Sequence, residues 1–286
     1  MIGRSKACAL RLDDPYVSSE HAKVVWTGTV WRIRDLGSRN GTFVDGQRIE
    51  PGQGVPIRLG TTLGFGESEE GWEVVEAGPP RPISTEIDLG ITRAADSEIL
   101  ALPDDHCPEL TIYPATGGGG WTLQDAEGVT QPIQDQAVVT AGGRRFRLDL
   151  PPLLEVTPMV DVALTLDNVS LSMAVSPDEE RVEIRLFLRG VEKAVLEPRE
   201  HSYLLLTLAR ARLEDADFPV AERGWRNVED LLRMLKIDQN MLNVATHRAR
   251  QHLSRTGLEG AANIVQTRRG QRRFGTDRVQ IGRLEE

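Results

Sequence analysis

Ile2-Gly3-Arg4, Val17-Ser18-Ser19-Glu20-His21-Ala22 and Asp35-Leu36-Gly37-Ser38-Arg39-Asn40-Gly41-Thr42 are the three pieces around which the stretch from Ile2 to Gly46 is organised. Each joins a strand-like run to a turn rich in Gly, Ser and Asn. Together they place a guanidinium, a hydroxyl and an amide on loops of one β-rich unit. That set of groups suits a phosphate carried on a peptide. Arg offers a planar fork matched to phosphate oxygens, Ser adds a neutral donor, and Asn can clamp a neighbouring backbone.

Outward from these pieces, residues 1–75 read as short strands separated by turn signals: Lys23–Trp26, Val30–Asp35, Thr42–Val44, Ile57–Phe65 and Gly71–Glu76. Such a pattern predicts an all-β sandwich. Gly-Arg, then Ser-x-x-His, then Asn-Gly at these spacings resembles a forkhead-associated (FHA) domain, over residues 1–76. The resemblance implies phosphothreonine binding, with Arg4 and Ser18 on the phosphate and Ser19 and Arg39 on the two phosphate loops. It implies that Asn40 holds the peptide backbone, and that Gly3, His21 and Gly41 are structural, His21 bracing the binding loop. Ser19 stands where many members have Arg, and Arg39 where Ser or Thr is usual. The family also has two strands ahead of the Gly-Arg motif, so either the start codon is mis-assigned, or the sandwich is expected to lack its first strands or to be completed from elsewhere.

Glu76–Glu86 reads as a Pro-rich linker, and a weak repeat of the first unit follows it. Ile91-Thr92-Arg93 parallels Ile2-Gly3-Arg4, Leu110–Tyr113 parallels Ala22–Val25, Trp121–Asp125 parallels Trp31–Asp35, and Val139–Leu148 parallels Ile57–Phe65. A period of about 90 residues means two similar domains rather than a solenoid. The second copy lacks the chemistry: His106, Cys107 and Glu109 fall where Ser18, Ser19 and His21 stood. Residues 87–150 are therefore expected to form a degenerate FHA-like sandwich, structural or protein-binding. Gly117–Gly120 has no following Lys-Ser/Thr and reads as a hairpin loop, not a nucleotide site.

After a second linker, Pro151–Pro158, four short strands are predicted at Leu164–Val169, Leu171–Val175, Val182–Leu188 and Lys193–Leu196. Three helices are expected next: Tyr203–Leu213, Val228–Leu235 and Met241–Ser254. The third has an apolar stripe of Leu242, Ala245, Ala249 and Leu253. Its opposite arc carries Asn243, Val244, His247, Arg248, Arg250, Gln251 and Ser254. Asn263–Phe274 reads as a β-hairpin with Arg268, Arg269, Arg272 and Arg273 around Gly270. Three helices and an Arg-loaded hairpin outline a winged helix-turn-helix, whose third helix enters the major groove. Residues 159–286 resemble the OmpR-type effector domain of bacterial response regulators, through Leu196–Glu200, Val244–Leu253 and Ile264–Phe274. The resemblance implies base reading by Val244 and Arg248, phosphate contacts by His247 and Arg250, and Arg269 as the wing arginine. Arg272 and Arg273 stand where that family has Gly and an aromatic. The alternative for these arginines is a solvated basic face or internal ion pairs, with Glu200 and Glu229 as partners for Arg248.

Charge supports a divided molecule. The chain of 286 residues carries a net −9. From Pro198 to Glu286, however, 16 Lys/Arg stand against 12 Asp/Glu, a net +4, so residues 1–197 hold −13. An acidic body with a basic end fits a protein of which only that end meets a polyanion. No apolar run approaches the roughly 20 residues needed to span a bilayer, and no signal-peptide pattern opens the chain. Two cysteines without metal-ligand spacing suggest a reducing compartment, so a cytoplasmic protein is expected. The five histidines are scattered, and neither a catalytic pairing nor a cofactor site is legible. The sequence thus predicts a non-enzymatic transcriptional regulator, mainly β plus α+β. It would dock a phosphothreonine protein (a Ser/Thr kinase or its substrate) and bind double-stranded DNA, with a homodimer as one arrangement. The rival is an adaptor that docks phosphorylated partners without binding DNA.

Overall fold

The computed structural model describes residues 1–66, 71–115, 119–153 and 163–284. It divides into two compact units, Met1–Pro80 and Arg81–Glu286. The second and third expected domains therefore share one unit.

In the first unit, β1 (Ile2–Gly3), β2 (Leu10–Arg11), β3 (Ala22–Trp26), β4 (Trp31–Asp35) and β7 (Gly54–Ile57) form one sheet in the order β2-β1-β3-β4-β7. The second sheet, β6-β5-β8-β9, joins β5 (Thr42–Val44), β6 (Gln47–Arg48), β8 (Thr62–Phe65) and β9 (Trp72–Glu73). Side chains on β4 alternate, with Ile33 and Asp35 buried and Arg32 and Arg34 exposed, as a pleated strand requires. Ile2, Val17, Ala22, Ile33, Ile57, Leu63 and Phe65 fill the space between the sheets. Each large aliphatic or aromatic side chain buried there contributes about 1.5–3 kcal/mol. The single strand expected over Ile57–Phe65 is in fact two, one in each sheet. Thr61 N bonds to Arg58 O, and Gly60 takes φ +82°, which turns the chain between them.

The second unit opens with another pair of sheets. One is β11-β10-β17-β16, from β10 (Ile83–Glu86), β11 (Ile91–Ala94), β16 (Val138–Ala141) and β17 (Arg144–Asp149). The other is β12-β13-β14-β15, from β12 (Leu100–Leu102), β13 (Leu110–Pro114), β14 (Trp121–Asp125) and β15 (Thr130–Ile133). Part of the expected linker Glu76–Glu86 is thus strand β10, hydrogen-bonded on both edges. The register exposes the repeat and corrects one correspondence. Leu110 faces Asp125 and Pro114 faces Trp121, as Ala22 faces Asp35 and Trp26 faces Trp31. Leu102 then faces Leu110 as Ile2 faces Ala22. Asp104, not Arg93, therefore stands where Arg4 stands. Arg93 lies on β11 in the other sheet; its similar spacing to Asp125 is a coincidence that hydrogen-bond register resolves. Residues 116–118 and 154–162, which overlap the expected Gly-rich loop and second linker, lie outside the described residues.

The remainder of the unit carries the helices. β18 (Val169–Val175), β19 (Val182–Leu188) and β20 (Val191–Leu196) form an antiparallel meander. Leu164–Val169 is not the sheet's fourth strand. That place belongs to the C-terminal segment Val279–Arg283, parallel to β18, because Asn168 closes a turn through its side chain just before β18 begins. Helix α1 spans Ser202–Glu214, and β21 is the short strand Arg226–Asn227. α2 (Val228–Leu235) has Glu229 and Asp230 in its first turn and ends at Lys236, which takes a left-handed conformation. α3 spans Gln239–Ser254, starting two residues earlier than expected because the Asp238 carboxylate accepts from Met241 N at 2.8 Å. After a 3-10 turn, β22 (Val265–Arg268) and β23 (Gln271–Phe274) make the hairpin, with β21 added to its edge; the C-terminal strand Val279–Arg283 is β24. Leu204, Leu205, Leu208, Leu231, Leu242, Ala249, Leu253 and Phe274 share one core with β18 and β19.

Candidate functional site

At one end of the first sandwich, three loops converge. Gly3 packs so closely that a Cβ there would lie 2.4 Å from Ser19 O, so only glycine lets the β1 end meet the next loop. Arg4 N donates to Ser18 O and Ser5 N to Ser19 O, both at 3.0 Å, pinning Arg4 beside Ser18. Arg4 is exposed; its Nε donates to Val17 O at 3.3 Å, which aims the fork while its terminal nitrogens face solvent. Ser18 Oγ accepts from Arg39 N at 3.1 Å, leaving the hydroxyl proton to donate outward. Asn40 Nδ2 donates to Tyr16 O at 2.8 Å, so the amide ties the third loop to the second. Ser19 and Arg39 are exposed on these loops.

Beneath them sits His21, fully buried. Its Nδ1 accepts from Ser18 N at 3.0 Å, so the ring proton is on Nε2, which donates to Gly41 O at 3.0 Å. Gly41 takes φ +93°, where any other residue is strained, and its carbonyl also accepts from Gly66 N. The spacing alone did not reveal the other support. Asp35, buried at the end of β4, accepts from Gly37 N, Ser38 N, Ser38 Oγ and Thr42 Oγ1. Burial alone would raise its pKa, but the hydrogen bonds from Ser38 and Thr42 outweigh that, and its carboxyl titrates below the usual range. An acid followed by Gly-Ser and a Thr is an Asx-type turn signal that could have been read. The result is an exposed guanidinium, a hydroxyl and an amide on rigid loops.

The other candidate residues, in the second unit, are not gathered on one exposed face. Arg248 and Arg269 are exposed, and among the described residues no ion pair joins Arg248 to Glu200 or Glu229. Val244 and Arg248 line an open cavity of about 760 Å3 between α1 and α3. Asn243 Oδ1 accepts from Gln239 on the same helix. Arg268 and Arg273 stack over Trp225, with guanidinium carbons 4.2 and 4.5 Å from its ring centroid.

The expected exposed arc on α3 needs correction at His247, Arg250 and Gln251, as does the hairpin at Arg272: all four are buried. The second sandwich covers His247, Arg250 and Arg272. His247 Nε2 meets Asp105 Oδ1 at 3.0 Å. Arg250 donates to Gln124 Oε1 at 2.8 Å and to Val265 O at 2.6 Å, and stacks on Tyr113. Arg272 donates to Ala126 O at 3.2 Å. Desolvation pulls the Arg250 guanidinium down to about 10. Periodicity placed these side chains opposite the helix stripe, but it could not see a second partner there. Among the described residues no helix is long and apolar enough to cross a membrane, and no cluster is set to hold a metal ion.

Comparison with known proteins bears on the first unit. The FHA domain family matches residues 1–66, and that segment is an FHA domain. FHA domain-containing protein FhaB of Mycobacterium tuberculosis is 38% identical over 66 residues, covering 22% of this chain and 43% of FhaB. The chain thus matches less than half the length of its curated relative. One solved FHA domain, studied for phosphothreonine-dependent interactions, is 33% identical, covering 23% of this chain and 66% of that one, with a TM-score of 0.22. Mycobacterium tuberculosis EmbR, solved with a low-affinity phosphopeptide, is 38% identical, covering 22% of this chain and 16% of that one, with a TM-score of 0.21.

Proposed function

We propose that this chain is a non-enzymatic, cytoplasmic phosphothreonine reader. Its first unit docks a phosphorylated Ser/Thr kinase or kinase substrate, and its second unit is the effector. The observation that carries the reading is the convergence of Arg4, Ser18 and Asn40 on loops braced by His21 and Asp35. Arg4 supplies charge-assisted donors to the phosphate, Ser18 a neutral one, and the Asn40 loop sets the peptide register. The relatives solved with phosphopeptides support the same chemistry. The test is calorimetric titration of the full chain with a degenerate phosphothreonine peptide pool, its unphosphorylated counterpart and a phosphoserine pool. Heat with the phosphothreonine pool alone supports the reading; equal responses from all three refute it.

Two effector roles have separate support. The order of three helices and a hairpin, with nine Arg against two acids from Met241 to Leu284, favours a winged-helix DNA reader. The burial of His247, Arg250 and Gln251 favours an adaptor whose α3 serves an internal contact. Duplex binding by the full chain, followed against salt, separates them.

A further inference from the structure

We propose that the second sandwich is a built-in occupant of the cationic face of α3 and the hairpin, holding it closed against a nucleic-acid polyanion. The proposal rests on the winged-helix DNA reading given above. The covering loops belong to the end of the sandwich that corresponds to the phosphate-binding end of the first unit. There the register puts Asp104 in place of Arg4 and His106 in place of Ser18, so a carboxylate stands where the first unit has its guanidinium.

The oxygens meet the basic face point by point. Asp105 takes His247, the Gln124 amide oxygen takes Arg250, and Ala126 O takes Arg272. Glu127 O accepts from Gly270 N at the hairpin tip, and Asp96 pairs with Arg255 just beyond α3 at 3.0 Å. These are the donors a winged helix would turn to phosphates and base edges.

The match is incomplete. Arg250 Nε, Arg272 Nε and His247 Nδ1 are buried without a hydrogen-bond partner. Arg250, fully enclosed, faces an amide and a carbonyl rather than a carboxylate. Each orphaned polar atom costs desolvation that nothing returns, so the closed arrangement is weaker than its area suggests. A polyanion would satisfy the same groups with charge-assisted bonds. Closure then lowers apparent affinity by the fraction of molecules that are open.

The test uses the full chain, wild type and the variants Asp105→Ala and Gln124→Ala, which lie outside the nucleic-acid face. Each variant is first checked for an unchanged circular-dichroism spectrum, and two separate sites are used so that one misfolded variant leaves the other informative. Arginine accessibility is read by phenylglyoxal modification and peptide mass spectrometry, and affinity by anisotropy on a mixed-sequence duplex. The expected result is protection of Arg250 and Arg272 relative to Arg269 in the wild type and loss of that protection in the variants. Duplex affinity should rise roughly tenfold or more, with a steeper salt slope. Equal reactivity of the three arginines in the wild type overturns the latch. Exposure of Arg250 and Arg272 in the variants with no gain in duplex affinity overturns the DNA reading instead, leaving a closure that guards some other surface.

Discussion

His21 and Gly41 are joined by a 3.0 Å hydrogen bond from a fully buried imidazole to a carbonyl, and that bond helps hold two of the converging loops at a fixed separation. The other ring nitrogen receives Ser18 N, so one neutral side chain ties the serine loop to the asparagine loop. His21→Ala removes both bonds and leaves Ser18 N and Gly41 O to be satisfied otherwise. Thermal or urea denaturation should show a loss of about 2–4 kcal/mol. Phosphopeptide affinity should fall although His21 does not face solvent. A variant with wild-type stability and affinity would remove the bracing role.

Arg4 separates binding from folding. Its guanidinium is exposed and accounts for one long hydrogen bond, so Arg4→Ala should shift stability by no more than about 0.5 kcal/mol. Loss of the fork should nonetheless abolish phosphothreonine-peptide binding by calorimetry, and Arg4→Lys should restore only part of it. Duplex binding by the same variant should be unchanged. Undiminished peptide affinity in Arg4→Ala would sink the phosphate-site assignment.

Asp35 makes the first unit acid-sensitive. Because its folded pKa lies below the usual value, its contribution is present above the ordinary carboxylate range and is lost as pH falls through the folded pKa. Melting of the wild type should therefore decline in acid, while Asp35→Asn, which keeps the shape but not the charge, should start lower at neutral pH and decline less. Parallel pH profiles for the two proteins would contradict this.

Glu98 has the opposite sense. Burial, and then the nearby charge of Glu259, push its pKa up to about 7 from 4.5, and Oε1 has no hydrogen-bond partner. Ionisation is disfavoured only in the folded chain, so this group's effect on stability is most favourable below its unfolded pKa. It worsens as pH rises towards 7 and levels off above. The full span is roughly 3 kcal/mol. Glu98→Gln should raise the melting temperature at about pH 8 and change it little at about pH 4.5. A variant less stable than wild type at both would point to a missing hydrogen bond instead.

Arg269 tests the effector role. It is exposed at the hairpin tip, so a DNA reader carrying Arg269→Ala should bind duplex more weakly, with a salt slope smaller by about 0.9. A full chain with no duplex affinity in either the closed or the opened form would favour the adaptor.

What the sequence determined by itself is local. Gly3-Arg4, Ser18 to His21 and Asn40-Gly41 marked the three loops that converge at one end of the first sandwich, because turn glycines and strand alternation are written in adjacent residues. The three helices were legible from their apolar residues, and α2 has the predicted bounds, set by the left-handed Lys236. Only the tertiary structure decided the rest. Strand pairing across the chain assigned Asp104, rather than Arg93, to the position of Arg4 and recruited β24 into the sheet beside β18. Burial, too, was decided there: His247, Arg250, Gln251 and Arg272 are enclosed. Helical periodicity shows which side of α3 turns away from its own core stripe, but whether water or another sandwich meets that side depends on contacts between residues more than a hundred positions apart.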